Sequence, residues 1–242
     1  MLAGPNGSGK STIKGELKPQ WIGVFVNADE IERSLRDSAG LLGLAKLGIT
    51  GAPADVLQRI EAHIRGSNFA QQQGLQALLG QMSVDRRLRL RVPGPYNSYL
   101  ASVLADAIRR ELLDQGKTFT FETVMSSADK IDFMSEARHR GYRVYLYFVA
   151  TDDPAINVDR VLRRVQQGGH PVPAQKIHER YVRSIGLMTK ACSVAHRAYV
   201  FDNSGSKHKL LVQVVDGCEM EIEAATLPPW FVETRLWRSF NV

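Results

Sequence analysis

Gly4-Pro5-Asn6-Gly7-Ser8-Gly9-Lys10-Ser11-Thr12 is the stretch whose reading decides the fold. Its first eight residues fit G-x-x-x-x-G-K-[ST] at every fixed position, the pattern of a phosphate-binding loop. The glycines let the backbone curl so that several N–H groups converge on one anion. Lys10 then reaches the β- and γ-phosphates, and the Ser11 hydroxyl is placed to hold Mg²⁺. A helix starting near Lys10 directs its positive end at the same phosphates. The motif specifies a nucleoside triphosphate; it does not specify what is done with it. Such a loop normally hangs from the end of a buried strand, and only Met1, Leu2 and Ala3 precede it here. Either the chain starts late or the sheet tolerates a stub. The first alternative expects residues encoded upstream to raise the melting temperature and the ATP affinity.

Outward from the loop, four short β-branched or aromatic runs read as strands: Ile22–Val26, Thr118–Phe121, Val144–Val149 and Ala198–Phe201. Helical periodicity lies between them, clearest over Tyr99–Leu113, with shorter patterns over Ile131–Arg140 and Ile156–Val165 and a longer one over Pro173–Ala195. Strand and helix in alternation predict an α/β fold, a parallel sheet with helices on both faces, and the loop motif makes it of the P-loop NTPase kind. Residues 37–96 hold no clear strand pattern and are expected to form a helical insertion capping the site. Asp216-Gly217 between two alternating runs, Leu210–Val215 and Cys218–Ile222, predicts a C-terminal β-hairpin. The expected organisation is a kinase-like domain over 1–205, including that insertion, with the hairpin and tail of 206–242 packed on it.

The 242 residues are 44% hydrophobic and 23% charged, as expected of a globular α/β domain with a sizeable core. No apolar run is long enough for a membrane span, and the start lacks a secretory signal. Cys192 and Cys218 have no metal-like spacing and read as reduced thiols of a cytoplasmic protein. Lys and Arg number 31 against 25 Asp and Glu, a net charge of +6 that favours anionic partners. The sharpest basic cluster, Arg86-Arg87-Leu88-Arg89-Leu90-Arg91, has no interleaved aromatics, which argues for a solvated or phosphate-facing loop over a nucleic-acid platform.

Further polar groups fall at strand ends, where ligands bind in such sheets. Asp29, in Asn27-Ala28-Asp29-Glu30, could take a proton from an acceptor hydroxyl or join the Mg²⁺ shell, while Asn27 reads as the cap of the next helix. Glu122 ends an otherwise neutral strand and must find a metal, substrate hydroxyls, an arginine or a structural ion pair. Glu122 and its neighbour Thr123 are the candidate substrate-binding pair. Asp152 and Asp153, before Pro154, read as helix caps. Arg160 and Arg164 share one helix face ahead of Gly168-Gly169-His170, like a lid that closes on a triphosphate.

Taken in order, LAGPNGSGKST, NADEIE, FTFETVMSS, Gly141-Tyr142, DRVLRRVQQGGHPVP and FDNSG resemble the zeta toxin family, and more closely its solitary zeta-like bacterial P-loop kinases. The resemblance covers most of 1–36 and 97–205. It implies an ATP- and Mg²⁺-dependent kinase that phosphorylates a hydroxyl of a small acceptor, such as UDP-N-acetylglucosamine or another nucleotide sugar, and it implies an epsilon-type antitoxin as partner. By the same resemblance Asp29 is the catalytic base, Glu122 lies near the acceptor, and Arg160 is the first ATP-contacting lid arginine. The family's second lid arginine falls where this chain has Gly168-Gly169-His170, leaving Arg164 or Arg180 to substitute. Two other readings stay open: a nucleic-acid 5′-end kinase or RNA-binding ATPase, and a non-catalytic nucleotide-binding partner protein.

Overall fold

The structure, a computed structural model, describes residues 1–240. In chain order its elements are β1 (Leu2–Ala3), α1 (Lys10–Glu16), α2 (Pro19–Ile22), β2 (Val24–Val26), α3 (Ala28–Asp37), β3 (Leu41–Gly43), α4 (Pro53–Arg65), α5 (Asn68–Gln72), β4 (Ser83–Val84), β5 (Arg89–Arg91), α6 (Ser98–Asp114) and β6 (Phe119–Thr123). There follow α7 (Asp129–His139), β7 (Tyr145–Ala150), α8 (Pro154–Gln166), α9 (Ala174–Val194), β8 (Arg197–Asp202), β9 (Lys209–Val215), β10 (Glu219–Ile222), α10 (Pro229–Val232) and α11 (Arg235–Phe240). They sort into two compact units, one of Met1–Leu17 with Glu122–Val242 and one of Lys18–Phe121. The division between these units falls around residues 17 and 121.

In the first unit β1 is short but central. It runs parallel to β7, with Leu2 opposite Tyr147, and parallel to the end of β6, with Leu2 opposite Glu122 and Ala3 opposite Thr123. Leu2 and Ala3 are fully buried where the loop leaves the sheet. β8 continues the parallel order beside β7, and β9 and β10 add an antiparallel edge that turns at Asp216-Gly217 as the sequence predicts. Alternation along the strands buries Leu146, Phe148, Ala198, Val200, Val212 and Val214 on one face. On the other, Tyr147 and Tyr199 stack with ring centroids 5.0 Å apart. Helix α1 packs on β1 and β7, α9 packs on β7, and α7, α8 and α11 pack on α9. Asp153 starts α8 by accepting from Ala155 N at 2.7 Å, with Pro154 in the first turn, as expected of that triplet.

In the second unit β2 pairs in parallel with Phe119–Phe121, the start of β6. Ile22 does not join that strand, because Pro19 opens a helical turn that runs to it. Asn27 caps α3, accepting from Asp29 N at 2.8 Å and Glu30 N at 3.3 Å. Helices α3 and α4 pack against α6, whose Leu100, Leu104, Ile108 and Leu112 are buried. Fully buried Glu111 is satisfied by Arg59, which donates from Nε at 3.0 and 2.9 Å and from Nη2 at 2.7 Å, and by Gln115 Nε2 at 2.6 Å. The expectation that 37–96 lacks strands is corrected here. The segment holds α4 and α5, but also a separate antiparallel sheet in the order β3-β5-β4. Strands of two or three residues give too little alternation to read. In β5 a single buried residue, Leu90, stands between exposed Arg89 and Arg91.

Candidate nucleotide-binding site

The loop leaves β1 at Ala3 and enters α1 at Lys10, and side chains from two later elements hold its carbonyls. Asn157 of α8 donates from Nδ2 to the Asn6 carbonyl at 2.6 Å, while its Oδ1 accepts from the Thr151 hydroxyl. Asn203, just past β8, donates from Nδ2 to the Ser8 carbonyl at 2.8 Å. Both asparagines are buried. Gly7 has a φ of +73°, and a Cβ there would lie 2.5 Å from the Asn157 carbonyl oxygen. Gly9 is also left-handed, and a Cβ there would strike the Asn203 amide. These two positions require glycine because the loop is pressed onto the residues that position it.

Lys10 is 6% exposed; its ammonium donates to Gly4 O and Pro5 O at 2.9 Å each and stands 3.8 Å from Glu122 Oε1. The carboxylate at the end of the neutral strand thus faces the loop lysine, one of the pairings its position demanded. Thr123 accepts from Met125 N at 3.0 Å and so shapes the turn that follows β6. Ser11 and Thr12 are exposed on the first turn of α1.

A cleft of about 270 Å³ opens beside the loop, lined by Gly9, Thr12, Arg160, Asn203, Ser206 and His208. Arg160 brings a cation to it, with a buried Nη1 that has no hydrogen-bond partner among the described residues. The Ser8 hydroxyl within the loop is likewise buried and without a partner among the described residues. His208 is paired to Glu16 of α1 at 2.9 Å. Arg164 does not line the cleft: it is exposed, and its Nη2 donates to His170 O at 3.4 Å. Arg180, on α9, instead reaches the loop, with Nη1 3.4 Å from Asn6 Oδ1. Asp29, in the second unit, is exposed in the first turn of α3.

Sequence reasoning missed Asn157 and Asn203. Asn203 sits within FDNSG, a motif noted but given no role, whereas nothing in the local pattern of α8 marks Asn157. A trio in the second unit, His63, Glu111 and Asp114, brings ligand atoms within 4.8 Å of one another. Arg59 already occupies both Glu111 oxygens, so the trio is better explained as an ion-pair network than as a metal centre.

Residues 96–209 match the family model described as Zeta toxin. Among solved structures, a chain of the crystal structure of AvrRxo1-ORF1:AvrRxo1-ORF2 with sulphate ions is similar at a TM-score of 0.51 and 16% identity, over 92% of this chain and 60% of that one. A chain of AvrRxo1-ORF1:-ORF2 with ATP gives 0.51 and 15%, over 91% and 59%. This chain therefore spans about three fifths of the length of those neighbours, and the likeness is one of fold. No curated protein matches. Four of the motifs noted above, from FTFETVMSS to FDNSG, lie inside the matched segment. From the approach to α6 to the first residue of β9, the chain is similar to the zeta toxin family, and the motifs that carry the resemblance fall in that segment.

Proposed function

We propose that this protein is an ATP-dependent phosphotransferase that moves the γ-phosphoryl group to a hydroxyl of a small acceptor. The observation that carries the proposal is one cleft walled by Gly9 and Thr12 of the loop and by Arg160 with a buried, unpartnered Nη1. A buried guanidinium nitrogen and a buried hydroxyl, both without partners, suit a ligand rich in anionic acceptor oxygens. ATP fits that donor set, and the AvrRxo1-ORF1:-ORF2 structure with ATP supports the choice of nucleotide.

In this reading Lys10 turns from the loop carbonyls to the β- and γ-phosphates, and Arg160 stabilises charge on the transferring group. The Ser11 hydroxyl, a hard oxygen ligand, would hold Mg²⁺. When bound, that ion neutralises the phosphate oxygens. Glu122, beside Lys10, would orient the acceptor; by resemblance alone, Asp29 is the base that takes the proton of the acceptor hydroxyl as that oxygen bonds to the γ-phosphorus and the bond from the γ-phosphorus to the bridging oxygen breaks. Nucleotide sugars are the acceptor class proposed by resemblance, and the AvrRxo1 complexes suggest a protein partner for this chain as well.

The test is ATP turnover by the purified chain against nucleotide sugars, nucleosides and RNA ends. Acceptor-dependent ADP release with a nucleotide sugar is expected. Phosphorylation of RNA ends alone would replace this reading with that of a nucleic-acid kinase, for which exposed Arg86, Arg87 and Arg91 would be the contact. Binding without turnover on any acceptor would favour a non-catalytic role.

A further inference from the structure

The tail beyond residue 209 lies outside the zeta toxin match, yet it connects to the loop through a short chain of hydrogen bonds. Trp230 and Phe231 of α10 are buried edge to face at 5.7 Å, and Phe231 also packs on Trp237 at 5.8 Å. From this cluster Trp230 Nε1 donates to Asp202 Oδ1 at 3.0 Å. Asp202 ends β8 and is 9% exposed. The same Oδ1 accepts from the Ser204 hydroxyl at 2.5 Å, and the Ser204 oxygen accepts from Asp152 N, ahead of α8, at 2.8 Å. Between them Asn203 donates from its backbone to Ala150 O at 2.8 Å and from its side chain to Ser8 O at 2.8 Å.

A carboxylate this buried is costly unless hydrogen bonds hold it, and among the described residues no cation pairs with Asp202. Its donors are a hydroxyl from its own turn and an indole from the tail. Without the indole, Asp202 would gain by turning to water, carrying the Ser204 contact with it and shifting the Asn203 amide off the loop.

We infer that Trp230 is a positioning residue for the nucleotide loop: its indole N–H fixes Asp202, and the Asp202-Asn203-Ser204 turn then sets Asn203 on the Ser8 carbonyl. The ligand of that loop rests on the function proposed above; the positioning itself does not. Trp230→Phe keeps an aromatic ring and removes only the donor. Hydrogen–deuterium exchange is read on peptides covering residues 4–16, and ATP affinity is measured in parallel. Roughly 5- to 10-fold faster exchange of the loop is expected, the effect of one lost hydrogen bond of ordinary net strength. ATP affinity should weaken by a similar factor with kcat held. Phe231→Leu, which loosens the same cluster without touching Asp202, should lower the melting temperature and leave loop exchange unchanged. Ser204→Ala breaks the chain of bonds from the other side and should accelerate loop exchange even if Trp230→Phe does not fold. Unchanged loop exchange in a folded Trp230→Phe or Ser204→Ala protein, or equal acceleration in Phe231→Leu, overturns the inference. A wild-type chain that binds no nucleotide would sink the functional reading, and the exchange comparison would still decide the positioning.

Discussion

Lys10 bridges two roles, since its ammonium ties the loop to itself through Gly4 and Pro5 and also stands beside Glu122. Lys10→Ala should therefore abolish ATP-dependent transfer while the sheet and core persist. A radiolabelled-ATP assay together with circular dichroism checks this, and equal transfer by mutant and wild type would refute it. Asp29 makes the sharper test because it is exposed and its carboxylate is not needed for capping, which Asn27 supplies. Asp29→Asn keeps size and shape but cannot take a proton, and loss of a general base costs about 10²- to 10⁴-fold. A fall in kcat of at least about 10²-fold with ATP affinity nearly unchanged is expected. Near-wild-type turnover on an identified acceptor, with Glu122→Gln inactive, would reverse the two roles.

Helix α8 does two jobs at the scale of elements: one turn carries Asn157 to the loop carbonyl, and the next carries Arg160 to the cleft. Asn157→Ala removes the donor from Asn6 O and the nearer acceptor of the Thr151 hydroxyl, leaving that hydroxyl only the Asp153 carbonyl at 3.3 Å. A loss of about 1–3 kcal/mol of stability is expected, together with weaker nucleotide binding. Thermal denaturation with and without ATP measures both, and an unchanged melting temperature would remove Asn157 from the account. The same helix shows what the sequence made legible. Asp153-Pro154 marks its start, because capping is a local signal; of the two arginines the sequence offered on one face, Arg160 lines the cleft and Arg164 does not. Asn157 acts through a partner 151 positions away, and no local pattern encodes that. The loop, its long helices and the C-terminal hairpin were readable because each carries its own motif or periodicity. The three-stranded sheet of residues 41–91 was not, since its strands are too short to display a period, and Leu90 reads as one more residue in an arginine run.

Over the whole molecule the two cysteines should behave oppositely. Burial pushes the Cys192 thiol up to about 12, whereas Cys218 is exposed beside the hairpin turn. One thiol should react promptly with a small alkylating reagent at mildly alkaline pH, and the second only on unfolding; mass spectrometry of the labelled peptides distinguishes them, and prompt labelling of Cys192 would contradict the packed core. The unit that holds the loop is assembled from two distant pieces of chain. Leu2 finds its neighbours only at Glu122 and Tyr147, and Ser8 is clasped only when Asn203 arrives. During synthesis on the ribosome, the loop emerges long before anything can hold it, because pairings of such sequence separation close last. A nascent chain interrupted before β8 bears the whole phosphate-binding motif and yet lacks the Asn203 clasp, the Asp202 turn and half of the cleft wall. Under the function proposed above, the nucleotide site would therefore be complete only once β8 and the turn after it have left the ribosome.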